Sequence, residues 1–144
     1  KDKPEGLDAV ELAKVRCEAL LSQGNRDEAE KLLTAAINDH KDSADLFGLL
    51  ARIHFERGRL DDAETAIATA LNLDANQLQA RLVQAHVWTE RGNIEKADVG
   101  YRWFVRYYNS RQPTAPEPLL FVGEGAAQYA RWHSVSQIFD FCVN

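Results

Sequence analysis

The chain has 144 residues, 45% of them hydrophobic and 27% charged, with a formal net charge of −5. That length suits one domain with a real core, and the composition excludes global disorder. The acidic balance disfavours a phosphate backbone as partner, no apolar run approaches the roughly 20 residues of a membrane helix, and two cysteines are too few for a disulfide scaffold.

Residues 1–9 read as a polar lead-in. Residues 10–23 are helix-compatible and end at Gly24, a residue type that permits the left-handed conformation closing a helix. A second helix is expected almost at once. Asp27 stands at its start, and Ala29, Leu32, Leu33, Ala36 and Ile37 follow at helical spacing. The same phrase returns over residues 44–57, closed by Gly58 and followed by Asp61, Ala63, Ala66, Ile67, Ala70 and Leu71. A third copy covers residues 78–91, closed by Gly92 and followed by Glu95, Ala97, Tyr101 and Phe104.

The three glycines are 34 residues apart, twice. Ala29, Ala63 and Ala97 keep that period, as do Cys17, Ala51 and Ala85. Small side chains in both columns let paired helices approach closely, while Leu20, Leu33, Leu50 and Ile67 fill the space between neighbouring pairs. One such pair cannot bury its apolar faces alone, so pairs must stack. Residues 112–118 hold three of the four prolines and are expected to form a stiff extended connector. Residues 119–144 align as a partial fourth unit, with Ala126 in the small column and His133 in the glycine column. The chain lacks methionine and ends on Phe139-Asp140-Phe141-Cys142-Val143-Asn144 without a polar run-out, so it is expected to be a piece of a larger chain.

A 34-residue helix–turn–helix unit with a turn glycine and small residues at the helix crossing resembles the tetratricopeptide repeat. The match is best over Ala44 to Gln77 and extends over about residues 10–111. One departure is that Lys41, Ala75 and Asn109 stand where the family often has proline. The resemblance implies an all-α fold, a right-handed α-α superhelix (a solenoid) of three helix-turn-helix repeats plus a partial fourth. Repeat 1 is then 10–43, repeat 2 is 44–77 and repeat 3 is 78–111. The connector at 112–118 and the truncated repeat at 119–144 follow.

No constellation for chemistry stands out. His40, His54, His86 and His133 do not fall in one column, and His86 with Glu90 makes at most half a metal site. Cys17 belongs to a packing column and reads as a buried inert thiol, while Cys142 lies beside Phe139 and Phe141. Gly123-Glu124-Gly125 lacks the strand and lysine of a phosphate loop and reads as relief of crowding in a packed helix. No catalytic residue, metal or cofactor is expected.

The resemblance implies that first helices line a concave groove for a peptide or partner-protein segment. Positions off the packing columns then face it. These are Glu11, Lys14 and Glu18 in repeat 1, and Asp45, Arg52, Phe55 and Glu56 in repeat 2. Gln79, Leu82, His86, Thr89 and Glu90 follow in repeat 3, with Arg131 beyond. Lys14 matches a lysine of the carboxylate-clamp subgroup, but Glu18, Leu49, Gln79 and Val83 replace the other clamp groups, which argues against an acidic tail as ligand. Ten of the 13 aromatic residues lie at or after Tyr101, a second surface suited to self-association. The expected role is a soluble, non-catalytic protein-binding module. Alternatives are the repeat region of a larger enzyme or secreted assembly protein and, disfavoured by the charge, a helical-repeat RNA binder.

Overall fold

The structure, a computed structural model, describes the backbone of residues 8–143 and the side chains of residues 8–133. Seven helices account for its regular structure among these residues, and no strand occurs among them. They are α1 (Ala9–Ser22), α2 (Arg26–Asp39), α3 (Ala44–Glu56), α4 (Leu60–Leu73), α5 (Leu78–Glu90), α6 (Ile94–Arg111) and α7 (Pro116–Val143). The chain divides into two compact units, Lys1–Val83 and Gln84–Asn144.

Local chemistry explains where the helices begin. The Asp8 carboxylate accepts from the Glu11 N–H at 2.7 Å, and the Ser43 hydroxyl from Leu46 N–H at 3.4 Å. Gln77 Oε1 accepts from Ala80 N–H at 2.7 Å, and Asn93 Oδ1 from Lys96 N–H at 3.2 Å. Each satisfies a donor that the helix itself leaves unpaired. The first helix of each pair ends in the same way. Gly24, Gly58 and Gly92 have φ of +80°, +71° and +72°. The residue after each glycine donates its N–H to a carbonyl five positions back, in Asn25 to Leu20, Arg59 to His54 and Asn93 to Trp88, at 2.8–2.9 Å. This is the Schellman closure, and a β-carbon at the glycine would be strained there. Three identical turns at a 34-residue interval make the repeat a fact of the backbone.

In the first unit α1 with α2, and α3 with α4, form hairpins, and α2 packs on α3. A core of Ala13, Cys17, Ala29, Leu33, Leu46, Leu49 and Ile53 joins α1, α2 and α3. The small columns are all buried: Cys17, Ala51 and Ala85, then Ala29, Ala63 and Ala97. Gly48 is a further close approach, since a β-carbon there would lie 2.6 Å from Gln77 Oε1. Burial pushes the Cys17 thiol up to about 11, with Glu18 adding to the shift. The neutral, inert thiol read from the sequence follows. Cys142, Phe139 and Phe141 have side chains outside the described residues.

The second unit departs from the expected pattern in two places. Helix α7 begins at Pro116, inside the stretch read as an extended connector. Prolines 116 and 118 fall in its first turn, where a missing N–H leaves no bond unmade. Gln112 takes the left-handed φ of +44° that ends α6. The turn expected at His133 does not form, and α7 runs through it as one 28-residue helix. Residues 131–135 offer no glycine to close a helix in the manner of Gly24. Helix α6 packs on α7. A β-carbon at Gly125 would collide with the Phe104 ring, whereas Gly123 faces open space. Relief of crowding therefore applies to one of the two glycines.

Candidate functional site

In the first unit the polar residues of α1 and α3 meet side by side. Arg52 Nη1 donates to both Glu18 oxygens at 2.9 and 3.1 Å, and its Nε donates to Glu56 Oε1 at 2.8 Å. Arg26 Nε lies 3.5 Å from the other Glu56 oxygen. Glu18 and Arg52 are 34 residues apart, so equivalent positions of successive first helices are in contact. Burial works against the Arg52 charge, yet Glu56 and Glu18 together raise its pKa. Nearer the helix N-termini, Lys14 Nζ lies 3.3 Å from Glu11 and 3.4 Å from Asp45. The other Asp45 oxygen accepts from Gln77 Nε2 at 3.2 Å. Five of the residues expected on the groove, Glu11, Lys14, Glu18, Asp45 and Arg52, thus share one face, with Glu56 joined through Arg52 and Phe55 half-buried on α3. Lys14 and Arg52 each contact two carboxylates. An incoming carboxylate would have to compete with both.

A second polar cluster was not anticipated from the sequence. Glu30 of α2 accepts from Arg59 Nη2 at 2.7 Å, with Arg57 Nη1 at 3.5 Å and His54 Nδ1 at 3.9 Å. Asp27 accepts from Arg57. Its side chain therefore reaches across to the next turn and does not cap its own helix. Hydrogen bonding to Arg59 holds Glu30 below the usual carboxylate range, and bonding to Arg57 does the same for Asp27. Burial, aided by Arg59, lowers His54. The available signal was the pairing of acids at 27 and 30 with the arginines flanking Gly58, about one repeat on.

The second unit treats its predicted residues differently. His86 Nδ1 lies 2.9 Å from the Tyr101 hydroxyl, which is 3.1 Å from Thr89 Oγ1, and the two rings meet edge to face. Thr89 donates to Ala85 O at 2.9 Å. His86 Nε2 lies 3.4 Å from Glu124 of α7. Burial lowers the His86 pKa against the opposing pull of Glu124, and burial raises that of Tyr101. Neutral imidazole fits the two histidine contacts: Nδ1 accepts from the tyrosine hydroxyl and Nε2–H faces the carboxylate, which leaves the single Thr89 hydrogen to be shared between Ala85 O and the tyrosine oxygen. His86 and Thr89 are therefore tied into an internal network, while Glu90 and Arg131 are exposed.

Two expected groove residues are corrected. Gln79 and Leu82 are buried, at 9% and 3% exposure. Around them Ala80, Val83, Ala85 and Val87 are buried as well, so α5 buries more than one stripe and helical spacing alone does not single out an outer face. Among the described residues no group of three His, Cys, Asp or Glu side chains is placed to hold a metal ion, and no helix is long and apolar enough to cross a membrane.

Comparison with known proteins agrees with the period. Residues 20–87 match the family model described as tetratricopeptide repeat. No curated protein matches the chain. The matched segment, which runs from the end of α1 into α5, belongs to the tetratricopeptide repeat family, and the fold is an all-α helical repeat.

Proposed function

We propose that this chain is a non-catalytic module that holds a peptide or a partner-protein segment on the shared face of α1 and α3. Repeats of this family serve protein interaction in general. The observation that supports the finer reading is the Glu18–Arg52 contact across one full period. Equivalent positions of neighbouring first helices stand side by side, which makes one mixed-charge surface out of two helices. Phe55, half-buried, adds an apolar anchor of the kind that carries binding energy at interfaces. The ligand is a segment with apolar and polar side chains, and its affinity does not depend on a terminal carboxylate.

The test is selection of peptides from a displayed library on the wild-type chain, followed by titration against the double variant Arg52→Ala, Phe55→Ala. Selected peptides should bind the variant about tenfold or more weakly while its helical circular dichroism is unchanged. Equal affinity for the two proteins would remove α1 and α3 as the binding face.

A further inference from the structure

The period allows every surface of one first helix to be compared with the same surface of the next. On α3, Leu46, Leu49 and Ile53 are 0%, 5% and 0% exposed and belong to the core that α2 completes with Ala29 and Leu33. Thirty-four residues earlier the same columns hold Leu12, Val15 and Ala19 on α1. Leu12 is 37% exposed, Val15 is 51% exposed, and Ala19 is exposed. Ala80, Val83 and Val87 of α5 continue the columns and are buried. One apolar stripe at spacing i, i+3, i+7 is covered on two first helices and bare on the third.

We propose that this stripe of α1 is a docking face for an amphipathic helix of a partner protein, built on the spacing of α2: a small residue, an aliphatic residue four positions on, and a small residue three beyond that. The α2–α3 interface supplies the template, because it shows which side chains cover these columns and the stripe on α1 continues that interface by one period. A second copy of this chain is a poor occupant. Its own faces of that type are already used: Ala29 with Leu33, Ala63 with Ile67 and Ala97 with Tyr101 are all buried. The flanking charges refine the chemistry. Asp27 and Glu30 of α2 are met by Arg57 and Arg59, but the matching positions beside α1 are Gln23 and Asn25. The incoming helix therefore needs no carboxylates there. The inference concerns a different side of α1 from Glu11, Lys14 and Glu18, and it stands independently of the peptide-binding face proposed above.

The test uses the full chain and a labelled peptide with the sequence of residues 26–39 carrying Asp27→Asn and Glu30→Gln. A side-chain staple across positions 31 and 35, both exposed on α2, keeps it helical. Saturable binding is expected, weakened about tenfold or more by Val15→Asp or Leu12→Lys in the chain and by Leu33→Asp in the peptide. Because Leu12 and Val15 are exposed, either chain variant should keep the wild-type circular dichroism. Binding left intact by the Arg52→Ala, Phe55→Ala variant would separate this face from the groove. Absence of saturable binding, or equal affinity for the Val15→Asp chain, would overturn the proposal. So would a concentration-dependent dimer of the chain alone that Val15→Asp dissociates, since the stripe would then belong to a second copy.

Discussion

The two units organise their polar side chains in opposite ways. On α1 and α3 the groups are charged, partly solvated and paired across one repeat, as in Glu18 with Arg52 and Lys14 with Asp45. Around Tyr101 they are neutral and buried or half-buried, linked in series from Thr89 through Tyr101 to His86, and only the end of the series reaches an exposed carboxylate, Glu124. An exposed ion pair gains little because water competes for both partners. A buried hydroxyl that loses its place strands its neighbours away from water, and that costs more. The first arrangement suits a surface that exchanges partners. The second suits a junction that must stay closed.

The largest effect that separates the two arrangements is therefore expected from Tyr101→Phe. The ring stays, so packing among Phe104 and its neighbours is kept. Only the hydroxyl is lost, which leaves His86 Nδ1 without its 2.9 Å partner. The expected loss is about 1–3 kcal/mol in chemical denaturation with an unchanged m-value. A loss near zero would mean that the network is slack and that the contrast with the α1–α3 face does not hold.

The sequence carried the repeat because its signals are local. A glycine that must adopt positive φ and an alanine at a helix crossing are each decided within a few positions. Gly24 and Ala29 therefore fall where spacing places them. What was not legible depends on orientation or on distant pairing. Pro116 and Pro118 read as a connector, although a first helical turn accepts both. Leu82 read as a groove residue, although α5 buries more than one stripe. Tyr101, His86 and Glu124 span 38 residues, and no periodicity joins them. The ion pairs at Glu30 were missed because spacing gives the face of a helix but not the reach of an arginine.

A smaller effect should appear on acidification. His86 and His54 have lowered pKa values, both chiefly through burial. The folded chain thus binds fewer protons than the unfolded chain below the ordinary histidine value of 6.5. Their contribution to stability is fully present above about pH 6.5 and is lost as pH falls below it. Asp27 and Glu30, lowered by their arginines, respond only below their ordinary values of 3.8 and 4.5. Thermal unfolding between pH 7.5 and 5.5 therefore isolates the histidines. The fall in Tm should be smaller in His86→Gln than in the wild type, with the remainder due to His54. An identical fall in both proteins would take His86 out of the acid response.

The smallest effect is expected where the contacts look most numerous. Arg52→Ala removes the contacts to Glu18 and Glu56, yet its side chain is 32% exposed and that of Glu18 is 48% exposed. Water and salt already compete for these groups, so about 0.2–1 kcal/mol should be lost. That loss should shrink further when denaturation is repeated at high salt, because screening acts on exposed charges. The loss from Tyr101→Phe should not shrink, because a buried hydroxyl is out of reach of dissolved ions. The pair of variants measured at two salt concentrations is thus a direct comparison of the units. If Arg52→Ala cost as much as Tyr101→Phe and did so equally at both concentrations, the α1–α3 face would be structural cement. It would then have little freedom to exchange its internal partners for a ligand's.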